Sequence, residues 1–317
     1  MLPKPLVLCL TLCLGWGAIL LSAVEIPATS MPTSFAYVLQ ADALGETPAN
    51  VAEKLIKAQR DWIVLDAHFS EEVSWEASDL KLIRSGNPQR KILAYVSIGE
   101  AENYRPYWKR VWFKNGKPTA QAPTWLLQEN PEWKGNFVVK YWDKDWQKII
   151  LNSIHEAMTA GFDGVYLDIV DGFETFEKVG DDYDENRLNP ETKQTYRRDM
   201  IEWVKKIAAQ ARTTKPDALV IPQNGSALLE ADDFLSVISG IGIEDLYTSG
   251  DKKQPSRDSR EVLGNLQHIL ETKKPVLLIE YPEKAELQAY VKKRAHDDGL
   301  ILLLTDRELK TLGVSSR

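Results

Sequence analysis

The chain has 317 residues, 44% of them hydrophobic, with 46 Asp and Glu against 39 Lys and Arg and a net charge of −7. That length and apolar content suffice for a large buried core and exclude an intrinsically disordered chain. Basic residues are scattered rather than clustered, which argues against nucleic acid and anionic membrane surfaces, while the excess of acids suits a cationic partner.

In chain order, the opening segment 1–24 carries Lys4 as its only charge, then an uncharged run from Leu6 to Val24. This is the layout of a secretory signal peptide, and a run of that length can also stay as an N-terminal membrane anchor. Either reading places the remainder in a secreted or extracytoplasmic setting. The segment holds Cys9 and Cys13, the two cysteines of the chain, so residues 25–317 have no disulfide, thiolate nucleophile or cysteine-bound metal, and they carry −8. Residues 25–33 read as a linker and 34–317 as one domain, expected to act as a monomer.

From residue 34 onward short apolar runs alternate with amphipathic stretches. The runs predict strands over Phe35–Leu39, Trp62–Leu65, Ile92–Val96, Gly164–Asp168, Leu219–Pro222, Gly240–Ile243, Val276–Glu280 and Leu300–Leu304. Apolar residues three or four apart predict helices over Val51–Arg60, Ala77–Arg84, Asp145–Met158, Thr192–Arg212, Arg257–Thr272 and Glu283–His296. Eight strands alternating with helices give an α/β protein, a (β/α)8 TIM barrel, with a doubly wound open sheet as the alternative.

Between the third strand and its helix lies a long aromatic-rich insertion, residues 98–142, far beyond an ordinary βα loop. It holds ten of the chain's 29 aromatics: Tyr104, Tyr107, Trp108, Trp112, Phe113, Trp125, Trp133, Phe137, Tyr141 and Trp142. Several must pack together, and collectively they could wall a groove in which ring faces meet the C–H faces of sugars.

In such a barrel the active site sits at the C-terminal strand ends. Those exits carry Asp42, Asp66, Ser97 with Glu100 and Glu102, Asp168 with Asp171, Asn224, Glu244 with Asp245, Glu280 with Tyr281, and Asp306. The opposite entries are a mixed set. Asp42, Asp245 and Asp306 fit a helix cap or turn former. Asp168, Glu244 and Glu280 instead end apolar strands directly, and a carboxylate in that position costs free energy unless it is paired or used. GxSxG, P-loop and HExxH motifs are absent and the four histidines are dispersed, with His68 alone near a strand exit, so no metal or cofactor is expected.

The blocks AYVSIGEAENYRPYW (94–108), GFDGVYLDIVD (161–171), IPQNG (221–225), GIGIEDL (240–246) and LLIEYP (277–282) resemble glycoside hydrolase family 114, over about residues 34–310. That is a family of (β/α)8 barrels that includes endo-α-1,4-galactosaminidases. The resemblance implies an exported, endo-acting and retaining polysaccharide hydrolase, with Asp168 as nucleophile and Glu244 as general acid/base. Glu280 is the alternative acid/base. Asp66, Ser97, Glu100, Asp171, Asn224, Glu280 and Tyr281 are expected to contact substrate, and a cationic amino sugar suits an acidic rim. A non-catalytic glycan-binding barrel and a metal-assisted hydrolase remain as other readings of the same acids.

Overall fold

The computed structural model describes residues 31–316, so the expected export segment 1–24 and all but the last three residues of the expected linker 25–33 lie outside the described residues. The main parallel strands are β1 (Phe35–Val38), β2 (Trp62–Asp66), β3 (Lys91–Ser97), β4 (Gly164–Asp168), β5 (Leu219–Pro222), β6 (Ile241–Glu244), β7 (Val276–Glu280) and β8 (Ile301–Leu304). The main helices are α1 (Pro48–Lys57), α2 (Ala77–Arg84), α3 (Lys144–Ala160), α4 (Tyr196–Thr214), α5 (Asp232–Val237), α6 (Ser256–Glu271) and α7 (Ala285–Asp297). Helix α5 has six residues and follows a 3-10 turn over Ser226–Glu230, too short a stretch to carry a helical period in the sequence.

Strands β1 to β5 pair in chain order in one parallel sheet, and β6 to β8 in a second, which ends in the antiparallel strand Val314–Ser316. Gln223 pairs in parallel with Gly242 between the two, where the Asn224 amide donates to the Gly242 carbonyl at 2.8 Å. The strands are buried along nearly their whole length, as parallel strands covered on both faces must be.

Alternation along each strand divides the core. Phe35, Tyr37, Trp62, Val64, Leu93, Tyr95, Tyr166, Leu219, Ile221, Leu277, Ile279, Ile301 and Leu303 form an inner cluster fed by both sheets. Their neighbours face outward: Ile63, Leu65, Ile92 and Ala94 meet Val51, Leu55, Leu80 and Ile83 of α1 and α2. Val165, Leu167, Val220 and Leu278 join the cluster that holds α3, α4 and α6. Each fully buried aliphatic side chain here contributes roughly 1.5–3 kcal/mol.

At the N-terminal end of the strands, Asp163 accepts from Lys215 at 2.6 Å, from Arg84 at 2.7 Å and from the Ile92 amide at 3.0 Å. Burial works against its charge, yet these donors hold its carboxyl below the usual range. One acid thus ties α2, α4 and β3 to the start of β4.

The insertion after β3 has its own three-stranded antiparallel sheet, Glu100–Glu102, Asn136–Val139 and Leu126–Glu129 in the order first, second, third. Its rings pack on one another: Trp108 stacks on Phe137 at 4.6 Å, Trp112 meets Trp125 at 5.4 Å, and Trp125 meets Trp146 of α3 at 4.9 Å. These contacts fasten the insertion to the helix it precedes.

Candidate active site

The C-terminal strand ends and the insertion enclose a cleft of about 960 Å³. Its walls carry eleven Asp and Glu side chains against four Lys and Arg, so a positively charged occupant is favoured over an anion.

Two of those acids face each other for a reason built into the strands. Tyr166 of β4 and Gly242 of β6 meet across the inner cluster so closely that a Cβ at 242 would lie 1.8 Å from the Tyr166 hydroxyl. Only glycine fits there. Two residues further along the same faces come Asp168 and Glu244, which the pleat therefore turns toward each other above the tyrosine.

Asp168 accepts from the Tyr95 hydroxyl at 2.6 Å and from the Ile169 amide at 2.8 Å. Burial raises its pKa, Tyr95 and Ile169 pull it back, and Glu102 adds a small push upward. Ile169 takes a left-handed backbone with φ 56°, a costly conformation for a β-branched residue, directly after the acid it bonds. Asn224 and Asp245, which follow the exits of β5 and β6, are left-handed as well, with φ 58° and 53°.

Glu244 accepts from the Tyr281 hydroxyl, and its amide donates to Asn224 Oδ1 at 3.2 Å. Burial first, then the charge of Asp168, push its carboxyl up to about 7, with Tyr281 and Arg307 acting against them. Arg307 lies 3.9 Å over the Tyr281 ring and is itself held by Asp245 at 2.6 and 2.8 Å. The chain Asp245, Arg307, Tyr281, Glu244 therefore fixes one carboxyl through its neighbours.

Asp171 also lines the cleft, and burial together with Asp168 and Glu174 pushes it up to about 8. Asp66 lines the cleft but is engaged by Arg105 in a bidentate pair at 2.7 Å on both oxygens, and Arg105 also binds Glu102 at 2.6 Å. Glu100 accepts from Asn130 at 2.8 Å, and its other oxygen is buried without a hydrogen-bond partner.

Asp66, Glu100, Asp168, Asp171, Asn224, Glu244 and Tyr281 thus come together around one cleft. Ser97 and Glu280 do not line it. Ser97 is buried and donates to the Glu100 carbonyl at 3.0 Å, closing the turn that starts the insertion. Glu280 is fully buried and accepts from the Tyr247 amide at 2.6 Å, the Thr248 amide at 3.2 Å and the Thr248 hydroxyl. Both expected substrate contacts are corrected to loop-holding roles, because their polar atoms are already occupied by protein.

Sequence reasoning missed Tyr37, Tyr95, Arg105, Gln223 and Arg307, all of which line the cleft. A signal existed for Tyr95: it stands two residues before Ser97 on the inward face of an apolar strand, where its hydroxyl needs a partner. Arg105 and Arg307 lie on loops and gave none. Among the described residues, no group of three or more His, Cys, Asp or Glu is arranged to hold a metal ion.

Parallel strands that present two facing carboxyls at their C-terminal ends have the make-up of a glycoside hydrolase. The model of glycoside-hydrolase family GH114 matches residues 23–317, and the chain belongs to that family. It is a glycoside hydrolase.

An uncharacterized protein of Deinococcus radiodurans is 34% identical over 251 residues, which cover 79% of this chain and 74% of the relative. The uncharacterized protein MJ1477 of Methanocaldococcus jannaschii is 37% identical over 209 residues, 65% of this chain and 56% of the relative. Among solved structures, the fold is similar to the glycoside hydrolase domain of PelA from Pseudomonas aeruginosa, with TM-score 0.61 and 18% identity, covering 89% of this chain and 98% of that one. It is also similar to Aspergillus fumigatus Ega3 in complex with galactosamine, with TM-score 0.62 and 18% identity, covering 95% and 98%.

Proposed function

We propose that this enzyme is exported and cleaves α-1,4-linked galactosamine-containing polysaccharide from within the chain, with retention, using Asp168 as nucleophile and Glu244 as general acid/base. The observation that carries the reading is the unequal setting of two carboxyls in one cleft. Burial raises both, but Asp168 receives two hydrogen bonds that favour its charged form against one on Glu244, which is pushed up to about 7 and so keeps a proton to give.

In the first step the Asp168 carboxylate attacks the anomeric carbon and forms an ester while the glycosidic C–O bond breaks. Glu244 passes its proton to the departing oxygen. In the second step Glu244 takes a proton from water, the water oxygen attacks the same carbon, and Asp168 leaves as carboxylate. The retaining geometry needs the two groups about 5–5.5 Å apart.

An ammonium on the sugar suits walls in which acids outnumber basic residues, and Ega3, of similar fold, is a complex with galactosamine. Among the acids expected to contact substrate, Asp171 and Glu100 are the available carboxyls, since Asp66 is already committed to Arg105. The reading also takes the two sheets as halves of one closed eight-stranded barrel. The Gln223–Gly242 pairing and the shared inner cluster support this, as do the bonds from the Leu39 amide to the Leu309 carbonyl and from the Phe35 amide to Ser315 Oγ. Export rests on the uncharged run 6–24, consistent with a polymer met outside the cell.

The test is turnover of a de-N-acetylated α-1,4-galactosaminan by Asp168→Asn and Glu244→Gln. The first should lose nearly all turnover while still binding the polymer. The second should fail on the polymer but retain activity on an aryl glycoside with a good leaving group, rising further with added azide. Wild-type rates in both variants would refute the pair.

A further inference from the structure

Eight of the ten aromatics in the insertion after β3 are packed against other rings: Tyr107, Trp108, Trp112, Phe113, Trp125, Phe137, Tyr141 and Trp142. The two left out, Tyr104 and Trp133, are 43% and 52% exposed. The one further exposed aromatic among the described residues is Tyr183, at 57%, on the hairpin Lys178–Val179/Asp182–Tyr183 that follows β4. All three line the catalytic cleft. Two separate insertions thus leave their unpacked rings at one place.

The turn that carries Trp133 and the ring of Tyr104 are held rather than dangling. Trp133 sits at the tip of a turn in which the Asn136 amide donates to the Trp133 carbonyl at 3.0 Å, the Glu132 amide to Asn130 Oδ1 at 3.0 Å, and the Gly135 amide to Glu129 Oε1 at 2.9 Å. Gly135 has φ 94°, which a side chain would strain, and the Asn103 amide clamps its carbonyl at 2.9 Å. Tyr104 donates its hydroxyl to Glu102, and the Arg105 guanidinium covers one ring face at 4.9 Å. A flat ring fixed in place and bare to water on the cleft side loses little entropy when an apolar face covers it.

We infer that Trp133, Tyr104 and Tyr183 form a platform that binds the glycan chain several sugar units away from the scissile bond, so that the enzyme discriminates polymer from short oligosaccharide. The inference rests on reading the cleft as a glycan cleft, and it assigns chain-length specificity to residues outside the catalytic pair. The ligand chemistry is a galacto-configured ring: its axial O4 leaves C3–H, C4–H and C5–H together on the opposite face, an apolar patch that an aromatic ring can cover. An equatorial O4 moves C4–H to the other face, away from C3–H and C5–H.

Two measurements test the platform. In the Asp168→Asn background, native gels containing de-N-acetylated α-1,4-galactosaminan should retard the protein, and Trp133→Ala or Tyr183→Ala should weaken the apparent affinity about tenfold each. Gels containing chitosan, which is gluco-configured, should retard it less. With active enzyme, Trp133→Ala should lower kcat/KM on the polymer about tenfold through KM, while the rate on the shortest cleaved oligosaccharide stays within about twofold. Equal losses on short and long substrates, unchanged affinity on adding Trp133→Ala or Tyr183→Ala to the Asp168→Asn parent, or no retardation of that parent in either gel would each overturn the platform. A wild-type enzyme that binds the polymer through these rings but does not cleave it would leave the platform standing and remove the proposed reaction.

Discussion

Strands β6 and β7 lie side by side and end alike, in Ile-Gly-Ile-Glu and Leu-Leu-Ile-Glu, and burial is the main cause that pushes both terminal carboxyls up to about 7. Their settings differ in what occupies the oxygens. Glu280 has both oxygens taken by Tyr247 and Thr248, whereas Glu244 has one oxygen on Tyr281 and faces an open cleft. A raised pKa therefore marks burial at both ends of the pair, and what sets Glu244 apart is an oxygen left free beside a cavity. Elsewhere the contrast repeats: Asp163, at the far end of the strands, is buried too, yet it is fully paired and lowered.

The contrast is broken most directly by exchanging each carboxyl for an amide. Glu244→Gln should lower kcat on the polymer by roughly 10²–10⁴ without loss of the fold. Glu280→Gln sets an NH2 group against one of the two amides the carboxylate served. It should destabilise the fold by about 1–3 kcal/mol, read from urea unfolding, while folded enzyme keeps its rate on aryl glycosides. A Glu280→Gln variant that is stable and inactive would reverse the assignment of the two residues.

A smaller effect sharpens it. If Glu244 is the proton donor, kcat/KM should fall above about pH 7, the value to which its surroundings push it. Asp168 and Asp245 raise that value, and Tyr281 and Arg307 lower it. Tyr281→Phe should therefore move the alkaline limb upward by roughly half a unit to one unit, measured as a pH–rate profile, and Glu280→Gln should leave it in place.

The smallest effect is on stability. Over the range from 4.5 to about 7, folded Glu244 and Glu280 hold protons that the unfolded chain has released. The native state then binds more protons, so stability declines as pH rises through that window. Glu244→Gln should flatten part of the decline and raise the melting temperature by a few degrees at pH 8, whereas Glu280→Gln should lower it at every pH. Scanning calorimetry at several pH values reads both.

Much of this was legible in the sequence. Every main strand lies within one residue of its expected bounds, because runs such as Val-Tyr-Leu between Gly164 and Asp168 are buried on both faces and carry no competing helical period. The short strands Glu100–Glu102, Leu126–Glu129 and Asn136–Val139 were not legible, since runs of three or four residues hold too little alternation and form only through long-range pairing. At the site, Asp168 and Glu244 stood out by ending apolar runs without a turn residue between. Glu280 carried the same pattern, and nothing local distinguishes a carboxyl that a loop 32 and 33 residues away will occupy. Arg307 escaped because its role depends on the ring of Tyr281 beneath it.

The contact between Tyr166 and Gly242 reaches beyond the present enzyme to how such a site can change over descent. A methyl group at 242 would lie 2.7 Å from the ring carbon that bears the hydroxyl as well as 1.8 Å from the oxygen, so losing the hydroxyl alone does not make room. Position 242 can accept a side chain only in a lineage whose position 166 has already given up its aromatic ring. The seating of the two strand-end acids is thus inherited as a pair of letters 76 places apart in the sequence, and drift at position 242 is gated by position 166.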